Sequence, residues 1–466
     1  MGISLEHISK QLPPEDSSDY RNLNQKLFKT LNKTCVVIDD DPTGNQTVHN
    51  IPLLTNWDLD TLINEFKNET PAFFLLTNSR SLSKKESSEI FRDISENIIK
   101  ASKVTNRDFT IISRSDSTLR GHFSEIEIIK EASNFNEAIT VFIPVMFEGG
   151  RVTINDTHYI SEHNDLTPVN ETPFSKDHTF AYSNADLKAY IEEKTRGKIK
   201  ASNVVSIGIE SIRTLDIETL STKIKSIESG KFCIANALNY NDLDKATQAL
   251  LLAEKSGKQI LYRTSSSFVP SYIGLEPKSL LSAKQIIDSK SKTGGLTIVG
   301  SYVPKSSSQL KFVLEDTTEK EIIEVDVEAI LTAESSSYIK SIISKIDMSL
   351  KSGKNVIVYT SRKLITGNNA DSNINIASKV SHVLVSLVQG IQIRPKYLLA
   401  KGGITSHDLA IKGLEMKRSK VLGQILPGIP AWEMGEETRF PNMLYIVFPG
   451  NVGNEKSLSE IIQKLS

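Results

Sequence analysis

The chain has 466 residues, more than one hydrophobic core normally serves, so more than one domain is expected. Lys+Arg at 55 nearly cancels Asp+Glu at 56, and the net charge of −1 excludes a general binder of nucleic acid or of membrane surfaces. The two cysteines, Cys35 and Cys233, stand apart, no secretory apolar segment opens the chain, and no run approaches the ~20 apolar residues of a membrane span, which together predict a cytoplasmic protein without a disulfide or zinc scaffold.

Leu23, Leu27 and Leu31 recur at helical spacing and predict a helix over about residues 18–32. The run 35–38 (CVVI) reads as a strand buried on both faces, ending in Asp39, Asp40, Asp41 and a Pro-Thr-Gly turn. The same pattern, an apolar run with a polar tip, returns at 72–81, 109–118, 139–150, 201–211 and 231–239, with amphipathic helices at 84–100 and 215–229. Alternating strands and helices imply a parallel sheet covered by helices, with ligands beyond the carboxyl ends of the strands. Residues 264–295 read as a turn-rich break, with 289–295 as a linker. Strands with Gly/Ser/Thr-rich tips then resume at 296–304, 354–362, 396–406 and 442–453. The expectation is an α/β fold of two parallel-sheet domains, 1–285 and 286–466, with the active-site cleft between them.

The first domain concentrates charge at its predicted tips. Asp39, Asp40 and Asp41 suit hydroxyl binding, Mg²⁺ or base chemistry, although a solvated turn explains them equally well. Arg80, Arg114 and Arg120 near successive strand ends favour an anion site, since the guanidinium fork fits carboxylate or phosphate. Asp116, set among arginines, should stay ionised and could receive a hydroxyl proton. Thr43 and Ser117 lie beside these acids, and Arg151, Asp156 and His158 form a further cluster. For His158 a structural hydrogen bond is as good a reading as a ligand role. For Lys176 and Asp177 a plain salt bridge is the default.

The second domain offers backbone instead. VGSYVP, AKGGITSHDLA and FPGNVG place glycines at strand tips, and the Gly402, Gly403, Ile404, Thr405 stretch before a helix forms a nest of N–H groups suited to phosphate. Neither GxxxxGK[ST] nor GxGxxG occurs. The missing dinucleotide fingerprint argues against a dehydrogenase or epimerase.

IDDDPTGNQTVHN, NSRS, RSDSTLRGH, PFSKD, the Gly-Ser at 300–301, KGGITS and FPGNVG, in this order, resemble the four-carbon acid sugar kinase family over roughly 33–455. The resemblance implies an N-terminal domain for the acid sugar, a C-terminal domain for ATP, and phosphorylation of the terminal hydroxyl of threonate, erythronate or 3-oxo-tetronate with ATP and Mg²⁺. It places Asp40, Asp41, Arg80, Asp116 and Arg120 in the acid-sugar site, and Ser301, Ser361, Gly402, Gly403, Ile404, Thr405 and Gly450 at ATP. With the reading of the residues, Asp116 or Asp41 orients or deprotonates the attacking hydroxyl, and Thr43, Arg114, Ser117 and Arg151 complete the substrate set. The partners implied are small molecules, the sugar acid and ATP, with neither nucleic acid nor membrane, and a homo-oligomer is compatible. This sequence departs from the family at Asn45, Arg114 and His122, and in the SYVPKSSSQ loop. The competing readings are a non-catalytic sensor that kept the fold and a kinase of a longer hydroxy acid.

Overall fold

The computed structural model describes residues 3–316, 319–330, 335–362 and 370–466. The chain divides into two compact units, Met1–Pro277 and Lys278–Ser466.

The first unit contains β1 (Ile3–Ser4), β2 (Lys33–Asp39), β3 (Ile51–Leu54), β4 (Ala72–Leu76), β5 (Asp108–Arg114), β6 (Ile139–Ile143), β7 (Arg151–Ile154), β8 (Thr157–Glu162), β9 (Asp165–Pro168), β10 (Val205–Ile207), β11 (Phe232–Ala235) and β12 (Ile260–Thr264). Within it the main order is β10-β11-β6-β12-β5-β2-β4-β3, and each neighbouring pair is parallel. Strands covered on both faces must be apolar throughout, and 35–38 of β2 and 73–76 of β4 are buried at every position. The helix Lys84–Thr105 starts in a Ser83/Glu86 capping box and buries Phe91, Ile94, Ile98 and Ala101, a stripe at helical spacing. A small antiparallel sheet, β1-β9-β8-β7, lies apart from the main one.

Register sets the site. Asp39 at the end of β2 is opposite Leu76 of β4 on one side and Arg114 of β5 on the other, and Arg114 in turn is opposite Thr264 of β12. Four parallel strands therefore finish at one level, and the residues just beyond them converge.

The second unit contains β13 (Leu296–Val299), β14 (Lys320–Val325), β15 (Asn355–Thr360), β16 (Tyr397–Lys401), β17 (Arg418–Leu426), β18 (Ile429–Met434) and β19 (Leu444–Phe448). Its order is β17-β18-β19-β16-β13-β15-β14, parallel from β19 to β14 and antiparallel through β17 and β18. The α/β class with mostly parallel sheets holds. The antiparallel β17–β18 hairpin is an addition.

Three local expectations are corrected. The predicted break 264–295 contains the division of the two units at Pro277/Lys278, but its first part belongs to the first unit, because Thr264 ends β12 and Phe268–Ile273 is a wholly buried helix. The predicted linker ends inside the sheet framework: Gly294 O accepts from Lys396 N and Gly295 O from Val356 N. Residues of the predicted SYVPKSSSQ loop enter the helix Pro304–Glu315, started by Pro304 at its first turn, where a missing N–H is harmless.

Candidate functional site

Beyond β2 the chain turns sharply. Asp39 accepts from the backbone of Asp41 (3.2 Å), and Asp41 accepts from the backbone of Thr43 (2.7 Å) and from its hydroxyl. Gly44 closes the turn where any Cβ would collide with the Asp39 carboxylate and the Arg114 guanidinium. Beyond β5, Leu119 (φ 67°) and Gly121 (φ 125°) carry the loop back over the tip, and Gly121 leaves room for Ser115 and Asp40.

Arg80, in the short turn Ser79–Ser81 after β4, binds three carboxylates: Asp40 (Nε–Oδ1 3.5 Å), Asp116 (Nη1–Oδ1 3.3 Å) and Asp41. Arg120 Nε lies 2.7 Å from Asp116 Oδ2, and its Nη1 lies 3.6 Å from Asp177. These groups remain partly exposed: side-chain exposure is 13% for Asp116, 16% for Arg80, 23% for Asp41 and 28% for Arg120.

A second layer lies beneath. Arg114 Nη1 is 3.1 Å from Asp39 and 3.5 Å from Asp40, and its Nη2 donates to Ser266 Oγ (2.8 Å). Arg263 pairs with Glu125 and donates to Ser113 and Ser115 (2.8 Å each), and Ser115 donates to Asp40 Oδ2 (2.7 Å). Arg114, Asp39, Arg263 and Glu125 are all buried, and this layer supports the partly exposed one.

Charge states follow from the layering. Burial pushes the Asp116 carboxyl up, but Arg80 and Arg120 outweigh it and hold the group well below the usual carboxylate range. Burial opposes ionisation of Asp41 too, and Arg80 and Arg114 again prevail. Arg80 answers in kind: despite burial, Asp40, Asp41 and Asp116 raise it. Asp39 behaves oppositely, since burial pushes it up to about 7, Arg114 counteracts, and its acidic neighbours add to the rise.

Of the other predicted substrate residues, Ser117 is buried with its hydroxyl against Met146 Sδ (3.4 Å). Arg151 is half-buried; it donates to Gly149 O, has no carboxylate partner among the described residues, and its Nε is buried without a hydrogen bond. His158 is buried between Thr153 Oγ1 (2.9 Å) and Ser117 O (2.8 Å), and burial pushes it down to about 4, a structural neutral imidazole. Asp156 binds Ser206, Asn236 and Lys188, outside this cluster.

Sequence reading missed Arg263, Ser266, Ser115 and Glu125. The first two fall in LYRTSSSF, where the short apolar run and the serines read as the start of a break.

In the second unit the tips of β19, β16 and β13 adjoin. Gly402 (φ 121°) donates its N–H to Phe448 O (2.8 Å), and Ser301 N donates to Lys401 O (3.2 Å). Ser306 Oγ bridges Ser301 Oγ and Gly450 O, both 3.0 Å. The helix Gly403–Asp408 begins here, with Thr405 beside Gly300, where a Cβ on the glycine would strike its hydroxyl. Ile404 is 66% exposed. Ser361, beyond β15, accepts from Val327 N (3.2 Å) through its hydroxyl. Lys401, missed by the sequence reading, is fully buried and lies 3.7 Å from the centre of the Phe448 ring. It donates to Pro449 O (2.6 Å) and Gly450 O (3.3 Å), and burial, with Lys305 adding, pushes its amine down to about 7.

Among the described residues no cluster of three His, Cys, Asp or Glu side chains could hold a metal ion, and no helix is long and apolar enough to cross a membrane.

One set of strand tips gathers carboxylates and guanidiniums, and the other presents glycine-lined backbone. Comparison with known families gives the two halves different ligand classes. Residues 35–272 match the model of a sugar-binding N-terminal domain, and 296–458 that of a nucleotide-binding C-terminal domain. The chain belongs to this family, the architecture of the four-carbon acid sugar kinases that its motifs resemble. No curated protein sequence matches it. Among solved structures it is similar to the Haemophilus influenzae protein HI1011, at TM-score 0.63 and 17% identity over 92% of this chain and 99% of that one. It is also similar to a Salmonella typhimurium LT2 protein called a "putative tRNA synthase", at TM-score 0.68 and 15% identity over 93% and 98% of the two chains. At such identities these likenesses show the fold alone.

Proposed function

We propose that the protein is an ATP-dependent kinase that phosphorylates the terminal hydroxyl of a four-carbon sugar acid of the threonate, erythronate or 3-oxo-tetronate type. The observation that carries this reading is the partly exposed layer of Asp41, Arg80, Asp116 and Arg120 in a sugar-binding domain whose chain continues into a nucleotide-binding one. A short polyol acid needs hydroxyl acceptors at one end and a cation at the other. Asp41 and Asp116 supply fixed acceptors. Arg151, whose guanidinium has no carboxylate partner among the described residues, supplies the cation for the C1 carboxylate.

Asp116 and Asp41 are held ionised by arginine, which makes them weak proton acceptors. Their role is therefore to orient the attacking hydroxyl and to accept its proton only as the oxygen–phosphorus bond forms. Phosphoryl transfer tolerates this, because positioning and charge stabilisation account for most of its rate. Gly402, Gly403, Thr405, Ser301 and Gly450 line the nucleotide loops, and Gly403, where a Cβ would meet nothing within 4 Å, leaves the backbone open to phosphate. ATP supplies the phosphoryl group. The acids of the first unit are committed to arginine and no three-ligand cluster exists among the described residues, so Mg²⁺ fits as a companion of the nucleotide phosphates, whose charge it would neutralise.

The test is ADP release with Mg-ATP across D- and L-threonate, D- and L-erythronate and both 3-oxo-tetronates. One strong responder is expected. Silence across the panel from protein that binds ATP would remove the four-carbon acids and point to a longer hydroxy acid or a sensor.

A further inference from the structure

The nucleotide loops contain a cation that the glycine motifs do not announce. Arg362 follows Ser361 just beyond β15, the neighbour of β13. Its Nη1 donates to Ser301 O (2.6 Å), which ties the guanidinium to the tip of β13 beside Gly300. The ring of Tyr359 lies 6.0 Å from it. Among the described residues it has no carboxylate partner, and Nε and Nη2 are buried without a hydrogen bond. Two buried charged donors left unmade are costly unless a ligand satisfies them.

The alternatives nearby do not offer this. Lys401 is occupied by Pro449 O and Gly450 O, and Lys305 is exposed. In the first unit Arg80, Arg114, Arg120 and Arg263 all face carboxylates. Arg362 faces none.

We infer that Arg362 binds the polyphosphate of the nucleotide, its Nη1 anchored on Ser301 O and its Nε and Nη2 donating to phosphate oxygens. The inference rests on the nucleotide reading of this unit and adds to it a side-chain contact with the phosphate charge. A guanidinium suits the task because it stays charged despite half-burial and presents its donors in a fixed fork.

The experiment measures binding of ATP and of adenosine by calorimetry to the full chain and to its Arg362→Met and Arg362→Lys variants. Arg362→Met should weaken ATP about ten-fold to a hundred-fold, the worth of charge-assisted hydrogen bonds, and leave adenosine unchanged. Arg362→Lys should fall between, having charge without the fork. Equal losses for ATP and adenosine would overturn the inference, because Arg362 would then serve only to hold the β13 tip. Unchanged ATP affinity in Arg362→Met would overturn it as well, with the nucleotide reading intact. Wild-type protein that binds no ATP would instead sink the nucleotide reading and this inference with it.

Discussion

At the strand tips of the first unit polarity is carried by side chains, and at those of the second it is carried mainly by backbone. Asp39, Asp40, Asp41 and Asp116 interlock with Arg80, Arg114 and Arg120 in two layers, one buried and one partly exposed. The tips of the second unit have Gly402 in a left-handed turn and Lys401 and Ser306 holding backbone carbonyls, with no carboxylate–guanidinium cluster among the described residues. A sugar acid is small and varied in stereochemistry, so its recognition calls for directional side chains with fixed protonation. A polyphosphate is the same in every nucleotide, and N–H groups that need no titration can carry most of its recognition. Arg151 in the first unit and Arg362 in the second have no ion-paired carboxylate among the described residues and keep buried nitrogens without a hydrogen bond.

This contrast can be attacked from its most rigid point outward. Arg263→Met leaves the buried Glu125 without its cation, with only the Ser113 hydroxyl donating to it, and should destabilise the chain by about 3–5 kcal/mol in urea unfolding. A loss below 1 kcal/mol would show that the lower layer supports nothing. Asp116→Asn keeps the shape but loses the charged acceptor. Turnover should drop at least about a hundred-fold with ATP affinity unchanged, and preserved turnover would take Asp116 out of the mechanism. Gly402→Ala forces a side chain into a left-handed position beside Ser301, at about 1–3 kcal/mol, and should weaken ATP while sparing the sugar acid. Equal weakening of both ligands would erase the distinction between the units.

The mildest test uses pH. Lys401 has its ordinary value of 10.5 when unfolded and about 7 when folded. Between these values the unfolded chain binds the extra proton, so stability should rise as pH goes from about 7 towards 10, and the benefit is absent below 7. In Lys401→Met this rise should vanish from the urea midpoints, and its persistence would assign it to other groups.

Much of this was readable beforehand, and the reasons are local. Asp41, Arg80, Asp116 and Arg120 lie two to six residues beyond the ends of β2, β4 and β5, and a parallel sheet gathers whatever follows its strands. The depth of each residue was not readable: Arg114 and Arg120 stand six positions apart in one segment, yet one is buried and the other faces outward, because Leu119 and Gly121 turn the loop over. Arg263 was hidden by LYRTSSSF, whose serines look like a loop but pack against the site and lead into a buried helix. The β17 strand is buried at every second position and lacks the glycine-rich tip by which the other strands of this unit are predicted. Lys401 reads as a surface lysine, and only the carbonyls of Pro449 and Gly450 give its amine a place inside.

The two cysteines, unremarkable for function, give the molecule a clock. Cys35 in β2 and Cys233 in β11 are both unexposed, and burial raises both thiols far from the reactive thiolate. Both belong to the first unit, and the second has no cysteine at all. A thiol-reactive dye must therefore wait for the sugar-binding sheet to open, while opening of the nucleotide-binding unit passes unlabelled. The rate of labelling, followed with and without each ligand, reads the breathing of one half of the chain without altering a residue.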